Sequence, residues 1–384
     1  MRSPRVTSES GDARVERSRA AEPRAEADAI ASDKAAGETQ TIASSGATDE
    51  ARTLGEAEHP RPLRIPHLHV PRLPTPLMGI RDRSAYNLGV AEIYTTPASL
   101  AELDRRATDY RYDLEADIRW AELAAPGALV PPSVLATLGA DVAGIEASGQ
   151  AELYDWCFGL LICQHFIELE RVVIKWVKGN PALAPSQSLE WLRDEEIKHI
   201  QTFRRFRQHL LEQRPQDAEQ AQALLHELHP PGHFQPEGDG DLLGLHYWTW
   251  ITILAFEEYT VHLYTALQAA PETVQPAWLD VHRCHAQEEV CHVETDATYV
   301  KSLQISAEDL EARSKLFVSW LMASYTKTFR VPVQMLLRLR PELQGQVSLG
   351  KPPKGFLDAL LSSPDFAQTR ACAPYLGWLA ARKR

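Results

Sequence analysis

The chain has 384 residues, of which 44% are hydrophobic, so it can bury one large core or two ordinary ones. Its formal net charge of -12 argues against a nucleic-acid-binding surface. Five cysteines, an odd number without the spacing of a disulfide framework, favour a reducing compartment. No apolar run is long enough to cross a bilayer, and the N-terminus lacks the apolar stretch of a signal peptide. We therefore expect a cytoplasmic protein without membrane or nucleic-acid partners.

The N-terminal part differs from the rest in composition. Residues 1–59 are mostly Ala, Glu, Arg, Ser and Thr and hold scarcely a large apolar side chain. Such a segment cannot offset the entropy lost on ordering, so we predict a disordered tail. Residues 60–84 carry a proline every few positions, which favours an extended arm. We expect a helical domain over 85–384, with its core at about 150–305.

From about Ser99 onward, apolar residues recur with the period of α-helices, and no stretch alternates as a strand would. Two predicted helices, Glu152–Gly179 and Leu242–Leu267, are apolar almost all round. The other predicted helices cover Leu100–Leu123, Leu189–Gln213, Gln216–Leu228, Trp278–Leu303 and Ala307–Phe329. The pattern predicts an all-α fold.

The two apolar helices each carry two glutamates near their middles. Burying an ionised carboxylate costs on the order of several kcal/mol unless a partner compensates it. Both members of a pair rarely face inward. Glu170 shares a helix face with apolar residues and Glu168 with polar ones, so Glu170 is the inward member and Glu168 the substitute. Both faces around Glu257 and Glu258 are apolar, and periodicity does not decide between them.

Two further helices contain the spacing Glu-x-x-His, as Glu196 and His199 in "DEEIKH" and as Glu289 and His292 in "HRCHAQEEVCH". Positions i and i+3 share a helix face, so both side chains can reach one metal ion. One such pair is a weak signal. The order along the chain is more specific, because inward Glu, Glu-x-x-His, inward Glu and Glu-x-x-His is the layout of carboxylate-bridged di-iron proteins. We therefore predict a two-metal site in a ferritin-like four-helix bundle with additional helices.

The segment "HRCHAQEEVCH" offers two aligned sets of metal-binding side chains. His285 lies one turn before Glu289 and shares its face with Glu289 and His292. The second set, rotated by about 100°, consists of Cys284, Glu288 and Cys291. A closed zinc site usually needs four ligands, and the remaining cysteines show no pairing that would complete one. Carboxylate together with imidazole suits iron or manganese, so we predict that the histidine set binds metal.

Glu195 and Glu288 each stand directly before a predicted ligand glutamate. Either side chain can accept a hydrogen bond from the ring N–H of a ligand histidine, and exposure to solvent is the alternative. His282 lies about 10 Å along the helix axis from Glu289, too far for a ligand of the same metal pair. We expect it to support a metal ligand by a hydrogen bond, to line a pocket or to face solvent.

These motifs resemble those of the p-aminobenzoate N-oxygenase-like di-iron oxygenases, a branch of the ferritin-like superfamily. The mark of that family is His-x-x-x-Glu-x-x-His, which is matched here by His285, Glu289 and His292. The family's glutamate on the preceding long helix falls on Glu258, by its spacing to the first histidine. The resemblance covers about 150–305. Glu288 stands where the family usually has Asp.

The resemblance implies two iron ions, or manganese in their place, and no catalytic residues beyond the metal ligands. The implied ligands are Glu170, Glu196, His199, Glu258, His285, Glu289 and His292. It also implies that O2 and an external electron donor oxidise the nitrogen of an amine, most simply an arylamine-like small molecule. A C–H hydroxylase or desaturase with the same ligands is the first alternative, and a ferroxidase or iron-binding protein is the second. A homodimer is compatible with the acidic amphipathic helices.

Overall fold

The computed structural model describes residues 111–179, 187–232, 245–303, 305–370 and 372–382. All of them fall within the unit Thr75–Arg384. The tail predicted for 1–59 and the arm predicted for 60–84 lie outside these residues. Within the described ranges helices predominate and no β-strand occurs, apart from two isolated bridges between single residues. The all-α prediction is confirmed.

We number the described α-helices in chain order. They are α1 (Pro132–Thr137), α2 (Val142–Ala147), α3 (Ala151–Gly179), α4 (Gln187–Gln213), α5 (Pro215–Leu228), α6 (Leu245–Gln268), α7 (Pro276–Ser302), α8 (Ala307–Leu339), α9 (Lys354–Leu361), α10 (Pro364–Thr369) and α11 (Ala373–Arg382). Short 3-10 helices lie at Trp120–Glu122, Pro271–Thr273 and Pro341–Leu343. Helices α3 to α7 begin and end within three residues of the predicted bounds.

Four long helices, α3, α4, α6 and α7, form the core of the described structure. Helix α3 packs along α4, helix α6 packs along α7, and α8 covers α3. Helix α7 begins where Gln275 caps it, because the Gln275 side chain accepts a hydrogen bond from the backbone N–H of Trp278. Pro276 follows at the first helical position, where a missing N–H is harmless.

Contacts between side chains give the directions of these helices. Trp250 of α6 stacks on Tyr299 of α7, while Glu257 of α6 lies near His292 of α7, so α6 and α7 are antiparallel. Phe166 contacts His282, and Glu170 contacts His285, so α3 runs in the same direction as α7. Helix α4 runs opposite to α7, because Phe203 contacts His282 and His199 contacts Glu288. This arrangement directs one face of each long helix towards a common interior.

The helix predicted over Leu100–Leu123 is wrong for the residues that the structure describes. Residues 111–119 form no helix, and only Trp120–Glu122 makes a short 3-10 turn. The side chain of Asp113 accepts hydrogen bonds from the backbone of Glu115 and Ala116, which gives this segment a local alternative to the helix. Residues 100–110 lie outside the described part.

Helix α8 continues past the predicted end at Phe329 and stops at Leu339. Pro332 lies inside it, where a proline removes one backbone hydrogen bond and usually breaks a helix. Pro332, Val333 and Leu336 are all buried, and this packing outweighs the local penalty. None of the described helices combines the length and hydropathy that crossing a bilayer requires.

Candidate metal centre

Buried carboxylates and imidazoles of α3, α4, α6 and α7 meet in two groups that share one residue. The first group consists of Glu170, His199, His285 and Glu289. The second group consists of Glu196, Glu257, Glu289 and His292. Within each group the candidate ligand atoms lie within 4.8 Å of one another, and every residue is buried. Each group has the donor atoms and the spacing to hold a metal ion.

Glu289 connects the two groups through its two carboxylate oxygens. Oε1 lies 2.6 Å from Nε2 of His285 and 3.2 Å from Nδ1 of His199. Oε2 lies 2.7 Å from Nδ1 of His292. Each oxygen of one carboxylate therefore faces the histidines of a different group, which is the geometry of a carboxylate that bridges two cations.

The side chains of α3 and α4 complete the first group. Glu170 Oε1 lies 3.2 Å from Nε2 of His285. Glu168, the alternative on α3, points elsewhere, because it forms an ion pair with Arg171 at 2.7 Å and accepts a hydrogen bond from Gln164 at 2.9 Å. The structure thus places Glu170, and not Glu168, at the site.

On α6 the structure brings Glu257 to the site, which corrects the placement on Glu258. Glu257 Oε2 lies 3.4 Å from Nδ1 of His292, and neither of its oxygens has a hydrogen-bond partner. Glu258 faces away, and its Oε1 accepts a hydrogen bond from Ser363 at 2.7 Å. Both faces of α6 are apolar because α7 packs on one and the α9–α10 region packs on the other. Hydropathy therefore could not separate the two glutamates, and the spacing of the resembling family pointed to the wrong one.

Glu195 and Glu288 hold the outer nitrogens of two site histidines. Nε2 of His199 donates to Oε2 of Glu288 at 2.9 Å, and Nε2 of His292 donates to Oε2 of Glu195 at 2.9 Å. Each glutamate therefore accepts a hydrogen bond from the histidine of the other Glu-x-x-His helix. Both rings are left with Nδ1 facing the two groups.

Glu195 and Glu288, here called the outer glutamates, each also contact a positively charged side chain. Arg111 Nε donates to Oε1 of Glu195 at 3.0 Å, and Lys198 Nζ donates to Oε1 of Glu288. The backbone N–H of Tyr112 adds a bond of 3.1 Å to the same oxygen of Glu288. Burial raises the pKa of Glu288. The hydrogen bond and charge of His199, followed by those of Lys198, lower it by more than burial raises it, so the pKa lies below its ordinary value. Glu288 therefore remains ionised and can orient the His199 ring.

The four carboxyls of the two groups, here called the inner carboxyls, have pKa values shifted from the ordinary value. Burial, then the charge of Glu289, raises the pKa of Glu170 to about 7. Burial and neighbouring carboxylates raise the pKa of Glu196 and of Glu257 well above the usual range. Burial would also raise the pKa of Glu289, but the charges of the site histidines lower it well below its ordinary value. Burial and neighbouring carboxylates thus disfavour the ionised forms of Glu170, Glu196 and Glu257, and a nearby cation would favour them.

The charge and the unpartnered oxygens of these residues fit a pair of divalent cations. The four inner carboxylates carry as much negative charge as two divalent ions carry positive charge, so the filled site can be neutral inside the protein. The unpartnered oxygens of Glu257 and Oε1 of Glu196 are buried acceptors that a cation would satisfy.

The cysteine set does not join the site. Among the described residues, neither group contains a cysteine. Cys284 donates from Sγ to the backbone carbonyl of Asp117 at 3.7 Å, and burial raises its pKa to about 12. Cys284 therefore contacts the segment before α1 and not the two groups.

Sequence reasoning missed Asp296 and left open whether His282 is buried or faces solvent. Both residues are fully buried and lie on the helix face that also carries His285, Glu289 and His292. The rings of Phe166, Phe203 and Trp278 surround His282. Continuing the alternating three- and four-residue spacing of α7 beyond His292 would have found Asp296.

A cavity of about 670 Å³ lies elsewhere in the described structure. Its lining includes Tyr154, Asp155 and Gln275 and none of the residues of the two groups.

Searches of protein-family models, of curated proteins and of solved structures gave no match for this chain.

Proposed function

We propose that this protein is a non-haem di-iron oxygenase that uses O2 to oxidise the nitrogen of an amine, of the arylamine class, in a small-molecule substrate. The observation that carries the proposal is the position of Glu289. Its two oxygens face the histidines of two different groups, so one carboxylate connects two adjacent cation positions.

The donor atoms favour iron, with manganese as the alternative. Each group combines carboxylate oxygen with imidazole nitrogen, and no thiolate contributes among the described residues. Glu170, His199 and His285 would hold one ion, Glu196, Glu257 and His292 would hold the other, and Glu289 would bridge them. When bound, such a pair supplies O2 activation and redox chemistry, with electrons from an external donor.

The helices support the same assignment. In ferritin-like di-metal proteins, two helices give one glutamate each and two give Glu-x-x-His, all projecting inward. Here α3 and α6 give Glu170 and Glu257, while α4 and α7 give the two Glu-x-x-His sets. This supply of ligands supports the proposal of a ferritin-like four-helix bundle with the remaining helices added around it.

Residues around the site exclude bulk water and orient the histidines. The apolar helices keep bulk water away, since all the residues of the two groups are at most 4% exposed. Glu195 and Glu288 fix the orientation of His292 and His199 by accepting their Nε2–H bonds. His285 adds a third imidazole, the feature that resembles the N-oxygenase family and that favours nitrogen as the atom oxidised.

The test is metal analysis followed by turnover with purified full-length protein. We expect about two irons per chain and, after reduction, O2 consumption that converts aniline to its hydroxylamine and further oxidised products. Hydroxylation of carbon with the same iron content would favour the hydroxylase alternative instead. Protein that binds no metal, or a single zinc, would overturn the proposal.

A further inference from the structure

Helix α7 carries one continuous buried stripe of polar side chains. The stripe consists of His282, His285, Glu289, His292 and Asp296. Intervals of three and four residues keep these positions on one face of the helix. All are at most 3% exposed. The middle three belong to the metal groups, so His282 and Asp296 are the two ends of the stripe.

Asp296 has no protein partner in the described structure. It is fully buried, and neither of its carboxyl oxygens accepts a hydrogen bond. A buried carboxyl without donors is unfavourable, and an apolar side chain would fill the same space without that penalty. Its presence therefore indicates a donor other than the residues that the structure describes.

A metal ion of the two groups does not meet this need. Asp296 belongs to neither group and stands one turn, about 6 Å, beyond His292 on α7. The four inner carboxylates already balance two divalent ions, so a fifth carboxylate is in excess. The four-residue spacing nevertheless keeps Asp296 on the same face of α7 as His292, and so on the side of the second group.

The two ends of the stripe have different surroundings. His282 is closed in by Phe203 and by Trp278, which is fully buried. Beyond Asp296, by contrast, Tyr299 of α7 is partly exposed and stacks on Trp250 of α6, with ring centroids 4.2 Å apart. Past Asp296, helix α7 therefore continues to an aromatic pair of which Tyr299 is partly exposed and Trp250 is buried.

We propose that Asp296 is the residue that selects the substrate, by accepting hydrogen bonds from the N–H groups of the amine that is oxidised. The carboxylate holds the amine nitrogen next to the second group, and the aromatic ring of the substrate lies towards Trp250 and Tyr299. The inference deepens the proposed function and rests on it for the reaction. It restricts the substrate to primary or secondary arylamines, because a tertiary amine has no neutral N–H to donate.

The test measures binding, separately from turnover, with aniline, N,N-dimethylaniline and toluene as probes. Calorimetry is performed on the full-length protein, loaded with Mn²⁺ and metal-free, for wild type, Asp296→Asn and Asp280→Asn. Asp280 is the matched control, because it is a mostly buried aspartate of the same helix that pairs with Arg119 instead. We expect Asp296→Asn to weaken aniline binding about tenfold or more, because the amide replaces one acceptor oxygen of the carboxyl with an NH2 group that cannot accept.

In the same experiment, toluene binding and metal content should stay unchanged in Asp296→Asn, and Asp280→Asn should bind all probes as wild type does. Unchanged aniline affinity in folded Asp296→Asn would overturn the inference. If that variant does not fold, the wild-type probes decide, because equal affinities for aniline, N,N-dimethylaniline and toluene also overturn it. A further outcome is a wild type that binds no metal and still binds aniline more tightly than the other two probes, with this preference lost in Asp296→Asn. That result would refute the proposed oxygenase and retain Asp296 as an amine-binding residue.

Discussion

Nε2 of His199 lies 2.9 Å from Oε2 of Glu288, a residue of the other Glu-x-x-His helix. The same distance separates Nε2 of His292 from Oε2 of Glu195 in the opposite direction. Helices α4 and α7 thus exchange hydrogen bonds symmetrically across the site. Each bond fixes a ring so that Nδ1 faces the metal groups, which couples the orientation of one helix to the ligands of the other.

Neutralising either outer glutamate should weaken metal binding without removing a ligand. We expect Glu195→Gln and Glu288→Gln each to lower the affinity for Fe²⁺ or Mn²⁺ by about 10- to 100-fold, because the histidine loses its charged acceptor. Equilibrium dialysis measures the affinity. Glu190→Gln, an exposed glutamate on α4, is the control and should bind as wild type does. Wild-type affinity in both outer variants would show that these hydrogen bonds do not position the ligands.

Substitutions at the adjacent glutamates of α6 separate the two assignments. Glu257→Ala should lose about one metal ion per chain, because it removes a carboxylate of the second group. Glu258→Ala should keep the metal and lose the hydrogen bond from Ser363 instead, with a cost in stability of about 1–3 kcal/mol. Metal analysis and denaturant unfolding measure the two effects. The opposite pattern would restore the family spacing and place Glu258 at the site.

The histidine and cysteine sets of α7 make opposite predictions. His285→Ala should reduce metal content or affinity, since it removes a ligand of the first group. Cys284→Ala and Cys291→Ala remove buried side chains that belong to neither group, so their metal content should match wild type. Metal loss in both cysteine variants, together with retention in His285→Ala, would contradict the assignment.

Metal binding should stabilise the folded protein. Ions that bind only the native state at a free concentration 100 times the dissociation constant add about 2.7 kcal/mol to the free energy of unfolding. We therefore expect Fe²⁺ or Mn²⁺ to raise the melting temperature of metal-free protein, and chelation to reverse the change. The double variant Glu289→Ala/His292→Ala, which lacks the shared carboxylate, should show little or no shift. An equal shift in that variant would locate the stabilising ion elsewhere.

Metal affinity should increase with pH. Burial lowers the pKa of His199 and of His292, but the charge of Glu289 and hydrogen bonds to glutamates raise both well above the ordinary value. Burial, then the charge of Glu289, raises the pKa of Glu170 to about 7. Near neutral pH the metal-free site therefore carries protons that a cation must displace. Between about pH 6 and about pH 8, affinity should rise up to about tenfold per pH unit for each proton released.

Proton release on Mn²⁺ binding in weakly buffered solution gives an independent measurement of the same linkage. The amount released should fall as the pH rises, because fewer site groups are protonated in the metal-free protein. An affinity that is constant across this range, with no proton release, would mean that the site is already deprotonated before the metal binds.

The sequence by itself determined the helical fold and most of the side chains that meet at the site. Helical periodicity located α3, α4, α6 and α7, because each must bury an apolar face whatever its neighbours are. The Glu-x-x-His spacing placed His199 and His292 beside their glutamates, because positions i and i+3 are neighbours on any α-helix. Both features depend only on residues that are close together in the chain, so they can be predicted from the sequence alone.

Only the tertiary structure decided between Glu257 and Glu258, because both faces of α6 are covered and local hydropathy is equal on each. It also decided which histidine each outer glutamate holds, since those bonds cross between helices far apart in the chain. That no described residue donates a hydrogen bond to Asp296 likewise depends on what the other helices bring near it. Periodicity tells which side chains face inward, but which inward side chains touch is set by how the helices pack.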